Sequence, residues 1–107
     1  MLIDTHAHIN MMVKNQFDVP LTLAELDTAK IIIEEAAHFD VKRMINVGTS
    51  LVESINCIQL AQRYREIYAA VGIHPNDCTV SWYDDMHKIK KLVSEKEKNK
   101  SYADEHF

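Results

Sequence analysis

Three short apolar runs, each followed by a helical pattern, constrain this chain more than anything else in its sequence. The first, Leu2-Ile3-Asp4-Thr5-His6-Ala7-His8, leads into an irregular stretch from Asn10 to Pro20, which is expected to fold as a loop over the end of the first strand. Thr22 and Glu25 then have the spacing of a capping box, and Leu26, Ala29, Ile32, Ile33, Ala36 and Ala37 recur at helical intervals, predicting a helix over 23–38. His38 falls in its last turn, where a histidine complements the helix dipole. The second run, Val41 to Val47, stops at Gly48; Ser50 and Glu53, again at capping-box spacing, open a helix carrying Ile55, Ile58, Leu60, Ala61 and Tyr64. The third, Ile67 to Val71, ends in Gly72-Ile73-His74-Pro75, and Ser81 introduces a last helix over about 83–96.

Strand and helix in strict alternation specify an α/β fold with a parallel sheet and right-handed crossovers. In such folds the ligand site lies at the carboxyl ends of the strands. His6 and His8, Gly48-Thr49-Ser50, and His74 all fall there. Side chains two apart on a strand share a face. His6 and His8 therefore present two imidazoles side by side, a pair able to hold one divalent metal ion, with Asp4 one step behind as a candidate to orient a histidine. The plainer reading is that these polar residues line the wet face of an edge strand. Their neighbours Leu2, Ile3, Ala7 and Ile9 favour a strand buried on both sides.

Composition narrows the classes. A chain of 107 residues is one domain, and a formal charge of −4 gives no general electrostatic footprint for nucleic acid. Lys88, Lys90, Lys91, Lys96, Lys98 and Lys100 are interleaved with Asp84, Asp85, Glu95 and Glu97, the mark of a solvated face. On the same helix Met86, Ile89, Leu92 and Val93 form the apolar stripe, Trp82 is expected to pack on the sheet, and His87 lies off the stripe. No apolar run reaches the ~18 residues of a membrane span. Asp4, His6 and His8 stand where a signal peptide would need its apolar segment, so a cytoplasmic, non-exported protein is expected. Cys57 and Cys78 make no disulfide framework and suit a reducing compartment.

Taken with the three strand ends, Leu2-Ile3-Asp4-Thr5-His6-Ala7-His8-Ile9, Asn46-Val47-Gly48-Thr49-Ser50 and Ala70-Val71-Gly72-Ile73-His74-Pro75-Asn76-Asp77 resemble the TatD-type metal-dependent hydrolases of the amidohydrolase superfamily, also called TatD-related deoxyribonucleases. The resemblance implies a TIM-type (β/α)8 barrel that hydrolyses phosphodiester bonds in DNA with divalent ions, magnesium, manganese or zinc, two per complete site. It implies that His6 and His8 are metal ligands. It places His74 near the same pocket, either binding a substrate phosphate or the outer metal shell, or merely capping the turn before Pro75. No catalytic residue is assigned.

The resemblance runs from Met1 to about Lys98. Where the family continues into a fourth strand ending in a Gly-Glu-Ile-Gly-like motif, this chain reads Asn99 to Phe107, with neither a β-branched run nor the motif. A full barrel needs about 250 residues. The expectation is therefore the first three β/α units of a truncated barrel over 1–98, then a disordered tail over 99–107 in which Glu105 and His106 have no strand to place them. Three parallel strands would leave two unpaired edges, favouring self-association. Two other readings remain: a non-catalytic fragment or isoform that binds a partner, and a small metal-binding α/β module.

Overall fold

A computed structural model of the chain describes residues 1–98; the tail expected over 99–107, with Glu105 and His106, lies outside the described residues. The element order is β1 (Leu2–Ala7), α1 (Ile9–Met12), α2 (Leu23–His38), β2 (Val41–Val47), α3 (Leu51–Arg63), β3 (Ile67–Ala70), a 3-10 turn (Pro75–Asp77) and α4 (Trp82–Lys98). The strands form one parallel sheet in the order β1-β2-β3. This is an open α/β sheet, and the expected alternation holds, with one correction: the start of the stretch expected to be a loop over Asn10–Pro20 is the short helix α1, closed by Met12 N on His8 O and Val13 N on Ile9 O.

Local chemistry explains the boundaries. The capping box at α2 is complete: Thr22 Oγ1 accepts from Glu25 N, and Glu25 Oε1 accepts from Thr22 N. α2 ends where Asp40 turns left-handed at φ +64°, a conformation that a short polar side chain tolerates. At α3 only half of the expected box forms. Ser50 Oγ accepts from Glu53 N, but the Glu53 carboxylate turns away into the interior.

Burial alternates along the central strand. Met44 and Asn46 on β2, with Ile67 and Ala69 on β3, join Leu26, Ala29 and Ile33 of α2 and Cys57, Ile58, Leu60 and Ala61 of α3 in the buried interior. The alternate residues Ile45, Val47 and Tyr68 are half-buried, and Arg43 and Ala70 are exposed, so the second face of the sheet stands open.

The prediction of a first strand buried on both sides is corrected. Leu2 and Ile3 are 59% and 55% exposed, because β1 is a sheet edge paired only with β2 among the described residues. Trp82 is also corrected: it is half-exposed at the start of α4, edge-on to Tyr83, since α4 packs on α3 through its middle, where Ile89 is buried. Met86, expected in the apolar stripe, is exposed. His38 stands in the last turn of α2 as expected and is exposed; His87 is exposed, off the apolar stripe, and stacks edge-on with Tyr83. No helix among the described residues is long and apolar enough to cross a membrane.

Candidate metal centre

β1 carries His6 and His8 to the carboxyl edge of the sheet, where the chain turns into α1. The Nε2 atoms of the two rings lie 3.1 Å apart, and the rings meet edge to face with centroids 4.9 Å apart. His8 Nδ1 donates to Val47 O at 2.9 Å. A carbonyl can only accept, so His8 carries its proton on Nδ1 and keeps the Nε2 lone pair. In the metal-free pair His6 Nε2–H then donates to that lone pair. Ligand nitrogens sit about 2.0–2.1 Å from a bound zinc, so two nitrogens 3.1 Å apart match two adjacent positions around one such cation. The fit is that of a half site: the described residues contain no cluster of three or more His, Cys, Asp or Glu side chains able to hold a metal.

Asp4 does not orient an imidazole. Its Oδ1 accepts from the His6 backbone N–H at 3.0 Å, within the stretch where the β1–β2 register shifts, so it shapes the strand rather than the ring.

The three strand ends are tied together by backbone and small residues. His8 reaches Val47, Gly48 N donates to Ala70 O, and His74 N donates to Thr49 O, both at 2.8 Å. Gly48 is required by close approach: a Cβ there would stand 2.6 Å from Ser54 Cα. Ser54 Oγ in turn both accepts from Gly72 N and donates to Gly72 O. His74 is the N-cap of the Pro75–Asp77 turn, with Nδ1 accepting from Asn76 N at 3.1 Å. Of the two sequence-level alternatives, capping is the one this geometry displays, yet it leaves the exposed ring's Nε2–H as a free-standing donor.

Beneath the histidines lies a polar cluster that the sequence reading missed. Glu53 is 1% exposed, and every partner of its carboxylate is a donor. Lys14 Nζ at 2.5 Å and Asp18 N at 2.7 Å bond Oε2; Asn10 Nδ2 at 2.8 Å and Asn56 Nδ2 at 3.0 Å bond Oε1. Burial alone would push this carboxyl up, but the hydrogen bonds from Lys14, Asn10, Asn56 and the Asp18 backbone outweigh it and hold it below its ordinary value. The segment after β1, helix α1 and the loop that follows it, is thus pinned by its polar residues Asn10 and Lys14, while Met12, Phe17 and Val19 are exposed. A signal was available: Glu53 lies on the helical line through Cys57, Leu60 and Tyr64, a buried stripe position.

A cavity of about 310 Å³ beside the start of α3 is lined by Asp18, Ser50, Asp77, Thr79, Ser81 and Asp85, among others, and by none of His6, His8 and His74. Its three carboxylates disfavour a phosphate there.

The family model described as TatD related DNase matches residues 3–101. The uncharacterized metal-dependent hydrolase YabD of Bacillus subtilis is 34% identical over 92 residues, covering 86% of this chain and 32% of that protein. The 3'-5' ssDNA/RNA exonuclease TatD of Salmonella typhimurium is 33% identical over 64 residues, 57% of this chain and 25% of that one. The uncharacterized metal-dependent hydrolase BU355 of Buchnera aphidicola is 25% identical over 94 residues, 88% of this chain and 32% of its own length. The chain spans about a third or less of the length of these relatives.

Proposed function

Because this chain belongs to the TatD related DNase family, we propose that it supplies the first-strand part of a metal-dependent hydrolase site acting on phosphodiester bonds in DNA. The observation that carries this reading is the pair of Nε2 atoms 3.1 Å apart, with His8 fixed by its Nδ1–H on Val47 O. His6 and His8 hold one divalent ion, magnesium, manganese or zinc. The relatives named as metal-dependent hydrolases support a metal requirement, and the relative named as an exonuclease supports nucleic acid as substrate. Held by His6 and His8, a divalent ion would supply Lewis-acid chemistry, polarising a phosphoryl oxygen and making water a stronger nucleophile.

The chain's own residues do the positioning. Val47 O holds the His8 ring, Asp4 shapes the strand at His6, and the His74 Nε2–H donates to a phosphate oxygen of the substrate. With two protein ligands among the described residues, the ion would be held weakly, since catalytic zinc normally has three. The test is a magnesium- or manganese-dependent nuclease assay on the 107-residue chain beside the His6→Ala/His8→Ala double variant. Cleavage that disappears in the double variant is expected; cleavage that persists in it, or no cleavage by the wild-type chain, overturns activity of this chain at that pair.

The uncovered β1 edge, with Leu2 and Ile3 exposed, favours one addition: the chain pairs with further strands, those of a second copy included. A monodisperse monomer by size-exclusion chromatography contradicts it.

A further inference from the structure

We propose that Asn46 is a positioning residue for His8: from the neighbouring strand it holds the peptide that follows His8, and so sets the backbone from which the His8 imidazole faces His6. The inference rests on the reading in which His6 and His8 hold a cation.

His8 occupies the N-cap position of α1, where a side chain ordinarily accepts a hydrogen bond from the first turn. Its ring makes no such bond. Both ring nitrogens are engaged elsewhere, Nδ1 on Val47 O and Nε2 on His6. The first N–H groups of a helix have no partner within it, and Ile9, which opens α1, is buried, so water cannot satisfy its N–H. Asn46 Oδ1 does so, at 2.7 Å.

Asn46 is fully buried in the central strand, where the pattern of its neighbours calls for an apolar side chain. A buried amide is unfavourable unless paired. Both ends of this one are paired: Oδ1 takes Ile9 N–H, and Nδ2 donates to Cys57 Sγ at 3.2 Å. Ile9 N–H can only donate, and the Cys57 S–H is directed at Asn10 Oδ1 at 3.6 Å, so the sulfur accepts from Asn46 and the amide keeps its oxygen towards Ile9. Two consecutive residues of β2 thus grip His8 from both sides: Asn46 takes the peptide after it, and Val47 O takes the ring. What is left pointing at His6 is the one nitrogen that a cation needs.

The experiment is nitrogen NMR of the histidine rings in the metal-free 107-residue chain at about pH 8, above the ordinary histidine range, followed by calorimetric titration with zinc alone. Wild type is expected to show His8 as the Nδ1–H tautomer. In Asn46→Leu, which keeps the bulk and loses the acceptor, the tautomers mix and zinc affinity falls at least about tenfold. Asn46→Asp, which restores an acceptor at the same place, restores the Nδ1–H tautomer. Ile33→Ala, a buried change in α2, lowers stability without moving the tautomer, which separates positioning from general loosening. Should Asn46→Leu fail to fold, Asn46→Ala takes its place, and the wild-type through-bond coupling between the Ile9 amide nitrogen and the Asn46 side-chain carbonyl gives a second readout. A His8 that keeps its tautomer in a folded variant without the acceptor overturns the proposal, as does absence of that coupling. Wild type that binds no zinc overturns the cation reading instead, while the tautomer still decides the role of Asn46.

Discussion

Glu53→Gln is the substitution whose effect follows most directly from the geometry. The carboxylate faces four donors, two on each oxygen, so the replacement amide must set its own NH2 against either Lys14 Nζ and Asp18 N–H or Asn10 and Asn56. In either orientation the Lys14 ammonium, whose side chain is 3% exposed, loses its counter-charge, and in the first it keeps only Gln16 O as a hydrogen-bond acceptor. Removing one partner of a buried ion pair costs about 3–5 kcal/mol. A domain of 107 residues has a total of roughly 5–16 kcal/mol at the usual stability per residue, so the loss is about a fifth of it or more. Each kcal/mol moves the melting midpoint of a domain of this size by about 4–8 °C, which places the drop on the order of 20 °C. Lys14→Met is milder, about 1–3 kcal/mol, because Glu53 keeps three donors. In the double variant no stranded ammonium remains, so its loss is smaller than the sum of the singles by about 0.5–3 kcal/mol. Urea unfolding of the four proteins measures all of this. A Glu53→Gln protein within about 1 kcal/mol of wild type, or a Lys14→Met protein less stable than it, refutes the reasoning.

The same carboxyl sets an acid limit. Its folded value lies below the ordinary 4.5, so its contribution is complete above about pH 4.5 and is lost as pH falls through the folded value. Stability measured against pH should show a steep acid limb that is shallower in Glu53→Gln; identical limbs contradict this. Gly48→Ala puts a Cβ 2.6 Å from Ser54 Cα and is expected to cost about 1–3 kcal/mol. Gly72→Ala meets nothing within 4 Å and stays within about 0.5 kcal/mol of wild type. Equal effects at the two glycines in thermal melts would exclude close packing as the reason for Gly48.

What could be read from the sequence was what local chemistry decides. Thr22 and Glu25 cap α2 as their spacing requires, and the run from Val41 to Val47, halted by Gly48, is the strand it promised, because both are read from local sequence. The strand-end rule also brought His8 and the β2 terminus together, with His74 tied to the same end. Apart from the single helical turn of α1, the differences that matter at the site concern partners far along the chain. Glu53 looked like a capping acid because Ser50 stands three residues before it, while its donors Lys14 and Asn10 are 39 and 43 residues away. Leu2 and Ile3 looked buried because an apolar parallel strand is normally covered on both faces, and nothing in their own pattern shows that β1 is an edge. Asn46 stands in the second motif, but its role is not legible there, since a single amide in a strand has meaning only beside the Ile9 N–H that it meets across the sheet.

The most direct measurement is calorimetric titration of manganese and zinc into the 107-residue chain and into its His6→Ala/His8→Ala variant, with folding of both verified by circular dichroism. A single weak site in the wild type that is absent from an equally folded double variant is the predicted result. Wild type without a site, or a site that survives loss of both imidazoles, would contradict the assignment of His6 and His8 as the metal-holding pair.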